Sequence, residues 1–198
     1  MSMLILASAS SIRARLLREA GVLFGVRPAE IDEDALKASL QAEGTGNEEV
    51  AEVLAREKAL HVSKASPQAL VLGCDQVLVC EGKLFGKAHD LAEARAALQL
   101  LRGKAHSLIT ACALVQNGTE LWRCRQQARL WMRPFSDEFL DVYLKAEGGT
   151  VLGSVGCYRL EGRGAQLFER VEGDFFAILG LPLVPLLAAL REHGVLPR

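Results

Sequence analysis

Two cations and one carboxylate stand where the hydrophobic pattern calls for apolar side chains. Asp75 lies in the middle of Val71-Leu72-Gly73-Cys74-Asp75-Gln76-Val77-Leu78-Val79, which reads as a buried strand. Alternation puts Asp75 on one face with Val71 and Val77, where an ionised carboxylate is costly without a partner. Arg13 falls on the inward side of a helix whose apolar face carries Ile12, Leu16, Leu17 and Ala20, while Arg15 and Arg18 point the other way. Lys58 lies inside the apolar stripe of a helix over 48–63, between Leu54 and Val62. Each has a structural reading: a lysine partner for Asp75, an ion pair for Arg13 and a snorkelling stem for Lys58. Each also suits an anionic ligand, with cations to hold it and a carboxylate within reach of Lys58.

The turn before the first helix points the same way. Ser8-Ala9-Ser10-Ser11 follows the apolar strand Met3–Ala7 and opens the helix that carries Arg13. Serine is a preferred N-cap, and a strand, a small-residue turn and a helix N-terminus together make a natural anion site. Glu30, Asp32, Glu33 and Asp34 form an acidic loop, which is either simply solvated or suited to a hard cation such as Mg²⁺ or Mn²⁺. Lys87 stands in a loop, and a lone loop lysine is ordinarily solvated. The stretch 153–164 is glycine-rich, so backbone could approach a ligand there, but it is no GxGxxG, and no GxxxxGK[ST] occurs.

Around these residues the elements alternate. A second strand is expected over 23–27. A hairpin turn follows the central strand, and Asp90 caps a helix over 91–101. A long apolar strand over 106–116 turns back at Asn117-Gly118 into a partly exposed strand over 120–132. Ser136 caps a helix to about Ala146, and Gly180-Leu181-Pro182 introduces a final helix over 183–192 with proline at its first position. Strands alternating with helices give an α/β fold, and the hairpin makes its sheet mixed.

With 198 residues, half of them hydrophobic and 24% charged, a folded core is expected. A net charge of −1 argues against a general polyanion-binding surface. Arg123, Arg125 and Arg129 share one face of the 120–132 strand with Gln127, but no aromatic platform is expected among them, so nucleic acid is not an expected partner. Five cysteines without CxxC spacing read as reduced thiols in a cytoplasmic protein. The four histidines show no metal-ligand spacing. No signal sequence and no membrane span is expected.

Leu4-Ile5-Leu6-Ala7-Ser8-Ala9-Ser10 with Arg13 and Leu16-Leu17, Gly73-Cys74-Asp75-Gln76-Val77, Gly86-Lys87, Leu167-Phe168-Glu169-Arg170-Val171-Glu172-Gly173 and Gly180-Leu181-Pro182 resemble, in order, the signatures of the Maf-like nucleoside triphosphate pyrophosphatases. The resemblance spans nearly the whole chain. It implies a single Maf-like domain over 1–198, with a strongly bent mixed sheet, flanking helices and two lobes around a cleft, as in the Ham1 and ITPase-like proteins. It further implies a cytoplasmic, often homodimeric enzyme. That enzyme would cleave the α–β anhydride of nucleoside triphosphates to monophosphate and pyrophosphate, using a divalent metal cation, Mg²⁺ or Mn²⁺.

By the same resemblance Asp75, Lys58 and Lys87 are catalytic, Ser8, Ser10 and Arg13 bind substrate, and Glu33 and Asp75 hold the metal. Ile12, Gln76 and Glu161 fall at positions that select the base. Gln76 with Glu161 resembles the branch acting on 7-methyl-GTP, in which the position of Ile12 is aromatic. One of the family's two arginines is missing in Ser10-Ser11-Ile12-Arg13, Lys87 is followed by Ala88 instead of proline, and Asp174-Phe175-Phe176-Ala177 replaces an Asp-Pro-Asn stretch. The other reading is a nucleotide-binding regulator of septum formation with little turnover. The presence of Asp75, Lys58, Lys87 and Glu33 favours the enzyme.

Overall fold

A computed structural model of the chain describes residues 3–197. In chain order the elements are β1 (Leu4–Leu6), α1 (Ser11–Glu19), β2 (Phe24–Val26), α2 (Glu33–Ala42), α3 (Asn47–Lys64), β3 (Leu70–Cys80), β4 (Lys83–Phe85), α4 (Leu91–Leu101), β5 (Ala105–Gln116), β6 (Thr119–Met132), α5 (Asp137–Glu147), β7 (Phe168–Glu172), α6 (Phe175–Ile178) and α7 (Leu183–Glu192). The seven strands form one mixed sheet in the order β2-β1-β3-β5-β6-β7, with β4 added to β3. The mixed α/β architecture expected from the sequence is therefore observed.

The chain divides into two compact units, and β3, β5 and β6 each contribute residues to both. The first unit comprises the chain up to Gln76, Thr110–Gln126 and the chain from Gly180. Here β1 lies between β2 and β3, parallel to both. All three β1 residues are buried, as a strand covered on both faces requires. The face of β3 that carries Val71, Gly73 and Asp75 meets α3. Ile5, Val71, Ala59, Val62 and Val115 form one apolar cluster. A Cβ at Gly73 would overlap the carbonyl oxygen of Ala55 and lie 2.9 Å from Ala59 Cβ. Glycine at 73 thus lets α3 lie directly on the strand, one alternation away from Asp75. Asn117 and Gly118 both have positive φ, the type I′ geometry that the Asn-Gly pair predicts between β5 and β6.

Two local expectations change. The acidic loop is only partly a loop: Asp32 accepts from Ala35 N at 2.9 Å and caps α2, with Glu33 and Asp34 in its first turn. Carboxylates at a helix N-terminus satisfy free N–H groups and the dipole, which is why the acidic run starts a helix. Pro182 is the N-cap of α7, not its first helical residue.

The second unit, Val77–Ile109 and Gln127–Leu179, is built around a core in which Leu98 and Leu101 of α4, Leu140 and Tyr143 of α5, and Leu130 and Met132 of β6 pack together. Its hairpin between β3 and β4 turns at Glu81-Gly82, both with positive φ. The row of arginines on β6 is divided between the units. In the first, Arg125 pairs with Glu48 and Glu52 of α3, each at 3.1 Å. In the second, Arg129 and Arg170 both lie over the ring of Trp131. One aromatic does therefore interleave with the arginines, because Trp131 shares the alternation of Arg129.

His106 of β5 is buried in the second unit, with Nε2 2.7 Å from the Tyr158 hydroxyl. Burial lowers its pKa from 6.5 to about 4. A proton therefore binds the unfolded chain first. The His106 contribution to stability is unchanged above about pH 6.5, falls as pH drops from 6.5 towards 4, and is lower by about 3 kcal/mol below that. Urea midpoints measured between pH 7.5 and 4 are expected to fall along that slope in the wild type, and His106→Gln is expected to flatten it.

Candidate active site

Helix α3 has a buried stripe of Val50, Ala51, Leu54, Ala55, Lys58, Ala59 and Val62. Lys58 occupies the stripe as the periodicity requires, and its ammonium finds two carboxylates. Nζ lies 2.6 Å from Asp75 Oδ1 and 2.8 Å from Glu33 Oε2. The side chains of Lys58 and Asp75 are only 8% and 7% exposed, whereas Glu33 is 41% exposed. A lysine this buried stays only with compensating charge, and two carboxylates from β3 and α2 supply it. Asp75 uses one oxygen for this pair. Its other oxygen, Oδ2, is buried with no hydrogen-bond partner among the described residues, and a buried lone acceptor of that kind is an unmet demand.

Arg13 organises the other end of the site. Nε donates to Gly180 O at 2.8 Å, and Nη1 donates to Ser8 Oγ at 3.1 Å and to Cys74 O at 3.0 Å. The guanidinium thus ties α1 to the turn after β1, to the residue before Asp75 and to the turn before α7. The Nη2 amino group takes no part in these three bonds. Gly180 has φ +97, and a Cβ there would stand 3.4 Å from Arg13 Nε. Glycine suits both the backbone conformation and the close approach. Ser8 Oγ also accepts from Ser10 N at 3.2 Å. Ser10 caps α1, its Oγ accepting from Arg13 N at 3.4 Å.

The remaining expected residues divide between the two units. Ile12 is half-buried in the first turn of α1. Gln76 points to the face of β3 opposite Asp75 and donates through Nε2 to Thr110 Oγ1 at 2.8 Å. Lys87 and Glu161 belong to the second unit. Lys87 is exposed in the loop after β4. Glu161 accepts from Arg159 Nε at 3.3 Å, and Arg159 also lies 3.9 Å from Glu147. Of the acidic run, only Glu33 reaches Lys58: Asp32 caps α2, and Asp34 pairs loosely with Lys37 at 3.9 Å.

Two contributors escape a reading of the sequence. Thr110 holds Gln76, and its only signal is a single hydroxyl inside the apolar run Leu108–Val115. The carbonyl of Gly180 anchors Arg13, and a backbone oxygen has no side-chain signature at all.

The donor set fits a hard divalent cation. Glu33 and Asp75 supply two carboxylates, one with a buried oxygen that lacks a partner. Mg²⁺ commonly takes one or two protein carboxylates and completes its shell with water and substrate phosphate. Among the described residues no group of three or more His, Cys, Asp or Glu is gathered for a metal.

A family model described as "Maf-like protein" matches residues 3–193. The chain is 52% identical over 193 residues to a "Nucleoside triphosphate pyrophosphatase" of Granulibacter bethesdensis, covering 98% of both chains. It is 49% identical over 191 residues to a protein of the same description from Caulobacter vibrioides, covering 96% of both. It is 46% identical over 190 residues to a "7-methyl-GTP pyrophosphatase" of Brucella abortus, again covering 96% of both.

Proposed function

The chain belongs to the Maf-like protein family, and on that premise we propose that it is a nucleoside triphosphate pyrophosphatase. It hydrolyses the α–β phosphoanhydride to a nucleoside monophosphate and pyrophosphate. The observation that carries this reading is the buried lysine held between Asp75 and Glu33, beside an Asp75 oxygen with no partner among the described residues.

The geometry around Asp75, Lys58 and Arg13 supports the following roles. Asp75 Oδ2 orients water and takes its proton as the water oxygen attacks phosphorus and the bridging P–O bond breaks. Lys58 fixes the other oxygen of the same carboxylate, so the base is positioned before substrate arrives. The N-terminus of α1, with Ser8, Ser10 and Arg13 Nη2, offers N–H and O–H donors to phosphate oxygens. Lys87 is assigned as a further phosphate cation on the family resemblance. Mg²⁺ or Mn²⁺ would be held by Glu33 and Asp75, and when bound it polarises phosphate and neutralises charge on the leaving pyrophosphate. Five free thiols support a cytoplasmic setting, and no helix is long and apolar enough to cross a membrane among the described residues.

For the base, the resemblance of Gln76 and Glu161 to the branch acting on 7-methyl-GTP favours that nucleotide over pyrimidine nucleotides. A carboxylate accepts well from the N1 and N2 donors of a guanine edge.

The test is pyrophosphate release from UTP, dTTP, CTP, GTP and 7-methyl-GTP with Mg²⁺ or Mn²⁺. Release is expected to fall to background with EDTA, to return with either metal, and to be fastest for 7-methyl-GTP. No release from any nucleotide by folded protein would sink the enzyme reading. Undiminished release in EDTA would remove the metal.

A further inference from the structure

The face of β3 opposite Asp75 carries a second pair of reactive groups. Cys74 and Cys112 lie on β3 and β5, both completely or almost completely buried, with their sulfurs 3.1 Å apart. The next side-chain pair on this face is Gln76 with Thr110. Partner numbers fall on β5 as they rise on β3, so the two strands are antiparallel here, with Cys74 and Cys112 facing each other. Non-bonded sulfurs rarely sit so close; facing Cβ atoms on neighbouring strands stand about 4.5–5.5 Å apart, at the upper edge of the disulfide range, so closing the bond draws the two strands together.

We propose that Cys74 and Cys112 are a reversible dithiol–disulfide pair whose oxidation by a small peroxide slows the site on the other face of the strand. One sulfur, as it gives up its proton, attacks a peroxide oxygen and becomes a sulfenic acid; the O–O bond breaks, and the departing oxygen takes that proton and leaves as water. The second sulfur, as its proton leaves, then attacks the first and displaces a second water. Two thiols and one hydrogen peroxide become one disulfide and two waters, the thiols oxidised and the peroxide reduced. Burial excludes bulky oxidants, but hydrogen peroxide is small and uncharged. In a reducing compartment such a pair rests as thiols and closes only under oxidative load.

The link to the site is structural. A disulfide needs sulfurs about 2.05 Å apart, so the pair must close by about 1 Å. Cys74 supplies the carbonyl that Arg13 binds and is adjacent to Asp75, the partner of Lys58. The closure is shared between two side chains, so the Asp75 end of the strand shifts by less than that, and turnover is expected to fall by less than the roughly 100-fold that a 1 Å misplacement of reacting groups costs. This second consequence rests on the pyrophosphatase reading, whereas formation of the disulfide does not.

The experiment treats reduced wild-type protein with hydrogen peroxide, alkylates it after denaturation and maps the peptides. The expected product is a Cys74–Cys112 linked peptide, two hydrogens lighter than its parts. Pyrophosphate release is expected to drop with it and to be restored by dithiothreitol. Cys112→Ala is expected to work like wild type when reduced and to keep its activity after peroxide.

Alkylatable Cys74 and Cys112 after peroxide, or oxidation confined to the more accessible Cys124, would overturn the pair. A linked peptide with unchanged turnover, or equal loss in Cys112→Ala, would overturn the coupling. Peptide mapping needs no turnover, so a failed pyrophosphatase reading stays distinguishable from a failed disulfide.

Discussion

Replacing Asp75 by Asn is expected to lower kcat by about 10²–10⁴-fold, with a much smaller change in KM. The amide keeps the shape of the side chain and an oxygen for Lys58 Nζ, which lies 2.6 Å from Asp75 Oδ1 in the native protein. It cannot accept a proton from water. The loss should therefore fall on the chemical step, with the fold retained. Initial rates of pyrophosphate release, alongside thermal melts of both proteins, check this. An Asp75→Asn enzyme within a few-fold of wild type would remove Asp75 as the base.

Removing the cation from the same pair is expected to strike stability. Lys58→Met keeps much of the aliphatic stem but leaves the buried Asp75 carboxylate without its partner. Breaking a buried pair in this way typically costs about 3–5 kcal/mol. Glu33 is far more exposed and can turn to water, so most of the penalty belongs to Asp75. The double change Lys58→Met with Asp75→Leu takes away both charges and is expected to recover most of the loss, although it cannot catalyse. Denaturant unfolding of the single and double variants measures this coupling. A cost below about 1 kcal/mol for Lys58→Met would show that the pair is not a buried charge system.

Much of this was legible in the sequence because the decisive residues break a periodic pattern. Lys58 in an apolar stripe and Asp75 in an apolar strand each contradict the burial of their neighbours, and the structure resolves both contradictions in one contact. Arg13 was legible as an inward arginine, but its partners were not. Expected to clamp phosphate, it spends three of its bonds on protein oxygens, two of them backbone carbonyls. Glu33 could be named but not placed, since a run of acids reads as a loop until Asp32 is recognised as the cap of α2. The pairing of Cys74 with Cys112 and of Gln76 with Thr110 depends on strand register, which no local pattern between 74 and 112 specifies.

The bond from Arg13 to the carbonyl of Gly180 joins residues 167 positions apart, and the first unit needs the chain beyond Gly180 to be complete. The second unit ends at Leu179. During synthesis on the ribosome, every residue of the second unit has been added before the segment that closes the first begins to be made. Domains tend to fold as units as they emerge, and contacts so distant along the chain form late. The arginine anchor is thus among the last features to set, so a nascent chain stopped short of Gly180 already carries Lys58 and Asp75 but lacks the oxygen that orients Arg13.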